Sequence, residues 1–137
     1  QAQIISLLKR LCKEHGTAVM LVTHDMGVIA ETADRVAVMY AGRVAELGPV
    51  ADVIHRPQHP YTVGLMGSIP SIGEERERLA QIDGAMPRLN AIPRGCAFNP
   101  RCPRVHARCL EERPELAAAG RSMAACWLHQ ATAETAR

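Results

Sequence analysis

Five consecutive apolar residues, Ala18 to Val22, run directly into a polar corner, Thr23-His24-Asp25, and a helical pattern begins at once. A short run that is apolar at every position, not at alternate ones, predicts a strand over 17–23 covered on both faces. Open α/β sheets place their ligands outside the carboxyl ends of such strands. His24 is therefore the first candidate site residue. The chain offers this strand no parallel neighbour of the same kind, so its edges and faces are expected to promote association.

The rest of the chain reads in order. Ile4, Ile5, Leu8, Leu11 and Cys12 recur at helical spacing opposite Lys9, Arg10, Lys13 and Glu14, and Gly16 ends that helix. Asp25 is a good N-cap for a helix over 26–33. Val36 to Tyr40 and Arg43 to Leu47 read as a hairpin around the two-residue turn Ala41-Gly42. Gly48-Pro49 opens a short helix over 50–56, which Pro57 stops, and His59-Pro60 opens another to about Ser68. Pro70 to Gly73 breaks the pattern, 74–79 is charged and expected to be exposed, and the prolines and glycine of 83–93 predict an extended linker. The last 45 or so residues are rich in Cys, Pro and Arg with little periodicity. So short and irregular a segment is expected to need a metal staple.

Charge and cysteine usage narrow the function classes. The net charge is +2, but residues 1–90 hold 9 basic and 10 acidic side chains, while 91–137 hold 7 Arg and 4 Glu. A tail that is basic through arginine alone suits an anion held in fixed geometry, or a solvated basic surface. Aromatic residues are 3% of the chain, too few for stacking platforms on single-stranded nucleic acid, so no nucleic-acid partner is expected. No apolar run reaches the roughly 18 residues of a membrane span. No secretory signal is visible and the first residues already read as mid-helix, so the chain reads as a piece of something longer and its thiols as reduced.

Cys96, Cys102, Cys109 and Cys126 are separated by five, six and sixteen residues. Four thiolates can enclose a tetrahedral zinc or a [4Fe–4S] cluster, but this spacing matches neither the zinc ribbon nor the common ferredoxin run. A metal-free cysteine-rich tail and a disulfide pairing stay open beside them. Arg94, Arg101, Arg104 and Arg108 lie close in sequence and would balance thiolate charge in either metal case. His106 and His129 are reserve ligands. Cys12, on the apolar stripe of the first helix, reads as an inert core thiol.

In order, the strand with His24, the helix, Asp34-Arg35, Met39-Tyr40-Ala41-Gly42, Gly48, His59-Pro60-Tyr61-Thr62 and the later CAFNPRCP of 96–103 resemble the end of the ATP-binding subunit of ABC transporters, in its oligopeptide/dipeptide importer branch. The resemblance implies an α/β fold. It would be the C-terminal part of a P-loop (RecA-like) ABC ATPase domain over 1–56, a His-Pro-Tyr helix and linker over 57–90, and a small irregular Cys-rich extension over 91–137. It implies a subunit that binds ATP and Mg²⁺ and energises import of peptides, or of related small solutes such as nickel. Implied partners are a second, homologous ATPase subunit, two membrane permease subunits and, indirectly, an extracytoplasmic substrate-binding protein. The implied place is peripheral, on the cytoplasmic face of the inner or plasma membrane.

By the same resemblance His24 is the switch histidine that contacts the γ-phosphate, and a [4Fe–4S] cluster sits on Cys96, Cys102, Cys109 and Cys126, with zinc as the alternative. Asp25 is either a helix N-cap or a contact to the partner subunit's loops, and Thr23 supports the corner. His15, His55 and His59 read as structural. The phosphate loop G-x-x-x-x-G-K-[ST], the signature loop and the Asp-Glu pair that holds Mg²⁺ do not occur in these residues, so this stretch alone is expected to be inactive. The competing reading is a metal-binding regulatory or interaction module that keeps ATPase ancestry without the activity.

Overall fold

The computed structural model describes residues 2–68, 82 and 84–130, which form two compact units, one ending at Asp34 and one beginning at Arg35. The charged segment 74–79 and the break at 70–73 lie outside the described residues.

The first unit holds two helices, α1 (Ala2–His15) and α2 (Met26–Thr32). α1 is amphipathic as its sequence requires, with Arg10 and Glu14 paired one turn apart at 3.8 Å. Cys12, expected in a core, is exposed. The expected strand over 17–23 does not form. A strand exists through its ladder, and no described segment pairs with this one. Met20 is 92% and Val22 90% exposed, and no residue of 3–34 is buried.

The second unit is built on a four-stranded antiparallel sheet in the order β1-β2-β4-β3. β1 (Arg35–Tyr40) alternates exposed and buried side chains, with Val36, Val38 and Tyr40 inward. It turns through Ala41 and Gly42, both at positive φ (49° and 81°), into β2 (Arg43–Pro49). Two such residues match the right-handed twist of the flanking strands, which is why a two-residue loop suffices. Pairing slips between Val38 and Met39, whose partners are Glu46 and Val44, so Ala45 is an extra residue on β2. That bulge breaks the alternation of β2 and leaves Ala45 and Glu46 both buried.

Two helices follow, α3 (Val50–His55) and α4 (Pro60–Gly67), the first burying Val53 and Ile54 and the second Thr62 and Met66. α5 (Ala107–Glu111) is a single turn and a half. The cysteine-rich extension joins this sheet. β3 (Ala117–Ala119) and β4 (Ser122–Ala124) form a hairpin, and β4 pairs with β2 through Glu46–Ala124 and Leu47–Met123. The Ala125 amide adds a hydrogen bond to the Ala45 carbonyl at 2.8 Å. The main core is aromatic: Phe98, 2% exposed, packs against Tyr40 and Tyr61 with ring centroids at 5.3 and 5.6 Å, and the two tyrosines meet at 4.7 Å. Residues 84–93 carry no helix or strand, yet Ile82 and Ile92 pack on this cluster, so the stretch covers core. Among the described residues no helix is long and apolar enough to cross a membrane.

Candidate functional site

Three groups of residues carry chemistry, one in the first unit and two in the second. In the first, Asp25 caps α2: its Oδ1 accepts the amides of Gly27 at 3.0 Å and Val28 at 3.3 Å. Thr23 Oγ1 accepts the Asp25 amide at 3.0 Å, closing a tight corner. Backbone geometry thus fixes both flanks of His24, while the His24 side chain is exposed and has no hydrogen-bond partner among the described residues. An imidazole held this way offers a directional N–H outward at no cost in broken contacts.

The second group is the His-Pro-Tyr corner. Glu46 is fully buried, and its carboxylate accepts the Gln58 amide at 3.0 Å and the His59 amide at 2.8 Å. His59 Nδ1 accepts the Tyr61 amide at 3.0 Å and so caps α4. The ring is then neutral, with its proton on Nε2 facing the Ala125 carbonyl; burial, reinforced by the charge of nearby His129, pushes its pKa down to about 4. His129 in turn bonds the Gln58 carbonyl at 2.5 Å. The turn of 58–59 is therefore gripped through its amides, its carbonyl and its side chain. His55 is exposed at the end of α3, and His15 ends α1.

The third group is the cysteines. Cys96, Cys102, Cys109 and Cys126 line one small cavity, closed on its other sides by His59, Phe98, Trp127 and neighbours. Gly95 makes this assembly feasible. It has φ of +76°, and a Cβ there would strike the Cys109 carbonyl and come within 2.8 Å of the Leu110 carbonyl carbon. Without one, the Cys96 amide bonds the Cys109 carbonyl at 2.8 Å.

Three of the sulfurs also face backbone amides two residues on: Phe98 (and Asn99) at Cys96, Arg104 at Cys102 at 3.4 Å, and Leu128 at Cys126. Such donors favour the thiolate, but burial outweighs them. It raises the pKa of Cys96 and Cys102, and lifts Cys126 to about 11. Cys96, Cys102 and Cys126 therefore hold their protons until something replaces them.

Of the four arginines expected to balance this charge, Arg104 lines the cavity and favours the Cys102 thiolate. Arg101 instead reaches Tyr40 Oη at 3.1 Å, and Arg108 lies 3.6 Å over the Trp127 ring and pairs with Glu112. His106 and His129 do not line the cavity. Among the described residues, no three His, Cys, Asp or Glu side chains are disposed to hold a metal ion. Neither the [4Fe–4S] cluster nor zinc has direct support from this arrangement. All four cysteines are free thiols. Sequence reasoning missed Glu46, since a carboxylate inside an alternating strand gives no sign of pointing inward; only the bulge puts it there.

The hairpin, the His-Pro-Tyr helix and the cysteine-rich extension thus form one unit around one sheet, and its sequence is similar to that of known proteins. Residues 45–109 match the family described as "Oligopeptide/dipeptide transporter, C-terminal region". The chain is 47% identical over 116 residues to the oligopeptide transport ATP-binding protein AppD of Bacillus subtilis, covering 85% of this chain and 35% of that protein. It is 46% identical over 132 residues to the probable D,D-dipeptide transport ATP-binding protein DdpD of Escherichia coli, covering 95% and 40%. To the dipeptide transport ATP-binding protein DppD of Bacillus subtilis it is 44% identical over 137 residues, covering 99% and 41%. The chain belongs to the oligopeptide/dipeptide transporter ATP-binding family and corresponds to its C-terminal portion. It spans about two fifths or less of the length of these relatives.

Proposed function

We propose that this chain supplies the switch-histidine corner and the cysteine-rich C-terminal region of an ATP-hydrolysing subunit that powers peptide import through an ABC transporter. The observation that carries the reading is the near-complete alignment with proteins named for peptide transport and ATP binding. Those names favour peptides over nickel as cargo. The working subunit would pair with a second ATPase subunit, dock on two permease subunits at the cytoplasmic face of the membrane, and receive substrate indirectly through an extracytoplasmic binding protein. The segments 1–56, 57–90 and 91–137 are its family-derived parts.

His24 would donate its outward N–H to the terminal phosphate of Mg²⁺-bound ATP and help position the attacking water. Phosphoryl transfer rests on positioning and charge stabilisation, so one well-aimed donor matters greatly. Asp25, already spent on the α2 cap, acts by holding that corner; a further contact to the partner subunit's loops belongs to the same proposal. The neighbours that would bury the apolar run 17–23 belong to parts of the longer relatives that do not align here.

The thiol cavity favours a second role within the same subunit. Cys96, Cys102, Cys109 and Cys126 line one space and three of their sulfurs face i+2 amides, so these four would be the residues to hold a [4Fe–4S] cluster or a tetrahedral zinc, once loading drew the sulfurs into a coordinating arrangement they do not have here. A cluster bound there would supply electron transfer or a redox-sensitive cross-link. The chain's own contribution is to gather the thiols, exclude water and yield their protons on loading. The site would also serve a metal-binding module with no ATPase role.

A chimera tests the ATPase reading. In the Bacillus subtilis dipeptide transport ATP-binding protein DppD, the aligned segment is replaced by this chain. The chimera is expected to hydrolyse ATP, and its H24A form to lose at least about 100-fold in rate while still binding nucleotide. Hydrolysis unchanged in H24A would overturn the assignment. Iron and acid-labile sulfide in anaerobically purified protein test the cluster, and zinc in their place would reassign the metal.

A further inference from the structure

Beside the thiol cavity, and sharing Cys96, His59 and Phe98 with it, lies a second, larger one whose other lining residues have no part in the functions proposed above. It has a volume of about 280 Å³, near the low end of the range for small-molecule sites, roughly 300–1,000 Å³. Its interior is apolar, built from Val44, Ala45, Ile92, Phe98 and Leu116. Its charged lining is Arg43, Arg113 and Glu115, all three exposed. Neither guanidinium has an acidic or aromatic partner among the described residues, unlike Arg56, Arg101 and Arg108 in the same unit.

Two unpaired guanidiniums beside an apolar hollow specify the ligand's chemistry. Guanidinium matches a carboxylate bidentately, and the apolar interior selects what the carboxylate is attached to. The three charged side chains sum to +1, which one carboxylate neutralises. A phosphate dianion would exceed that charge beside Glu115. We propose that this cavity binds a small carboxylate with an apolar body, its head on Arg43 and Arg113 and its body against Phe98, Ile92 and Leu116. The chemistry is shared by a short hydrophobic peptide, whose ammonium Glu115 would meet, and by a medium-chain fatty acid, which has none. This site is independent of the ATPase reading.

Calorimetric titration of the full reduced chain tests the proposal, with leucyl-leucine and octanoate as probes and their C-terminal amides as controls. At least one acid is expected to bind with a Kd below about 1 mM, and its amide at least about tenfold more weakly. R43Q and R113Q, both at exposed and unpaired positions, should weaken the acid at one or both sites by about fivefold or more with the melting temperature unchanged. Preference for leucyl-leucine, lost in E115Q, assigns the peptide; preference for octanoate, indifferent to E115Q, assigns the fatty acid. The proposal fails if neither acid binds below that limit. It fails equally if the wild-type chain binds amide as tightly as acid, a comparison that needs no variant to fold, or if both arginine variants bind as the parent does.

Discussion

The two units of this chain answer their sequence patterns in opposite ways. Residues 18–22 are apolar at every position, and they end exposed and unpaired among the described residues. Residues 117–124 are half alanine, with almost no pattern, and they form two strands, one of which pairs with β2. Hydrophobicity alone does not make a strand; pairing does. β4 lies along β2, while no described segment pairs with 17–23. Burial follows pairing. The second unit gathers Tyr40, Phe98, Val53 and Ala124 inside, and the first buries nothing among residues 3–34.

This contrast breaks most easily at Phe98. F98A removes a ring touching Tyr40, Tyr61 and His59 and should cost the second unit about 4 kcal/mol, read as a lower urea midpoint of Trp127 fluorescence, the chain's single tryptophan. A loss under about 1 kcal/mol would mean that the aromatic cluster is not the core.

Acid should act almost as strongly through His59. Its pKa near 4 in the folded state lies below the ordinary 6.5, so between those values the unfolded chain binds the extra proton. Stability is complete above about pH 6.5 and falls as pH drops toward 4, by about 3 kcal/mol in all. H59N, which keeps a capping acceptor, should flatten that slope while the parent retains it. The next effect is at Glu46. E46Q keeps the volume but loses one acceptor oxygen facing the 58–59 amides, and about 2 kcal/mol should go with it in the same denaturant assay.

Legibility divides along the same line. The 36–47 hairpin is readable because alternation and a two-residue turn act locally, and α4 because His59-Pro60 supplies both a cap and a fixed φ. β3 and β4 are unreadable because strands of three residues, all alanine in β3 and Ser-Met-Ala in β4, are too short to carry a period. The error over 17–23 comes from treating a pattern that needs tertiary partners as if it were sufficient. At the sites, the four cysteines were legible as a group from composition and resemblance, and they do line one cavity. Their arginines were not, since sequence proximity could not show that Arg101 and Arg108 turn to Tyr40 and Trp127. Glu46 was hidden by the bulge at Ala45.

Smaller effects sharpen the comparison. R108A should cost about 1 kcal/mol through the lost stack on Trp127, detectable as a shift in its emission. M20S and V22S in the first unit should change the second unit's unfolding by less than about 0.5 kcal/mol, since both side chains are about nine-tenths exposed. A larger loss from either would show that the apolar run is buried in solution.

Amide hydrogen exchange on the full chain compares the two units directly. Strong protection is expected in β1, β2 and β4, where amides of Val38, Leu47 and Met123 lie in paired strands, together with rapid exchange throughout 17–23. Protection of 17–23 equal to that of β2, in monomeric protein, would contradict the account.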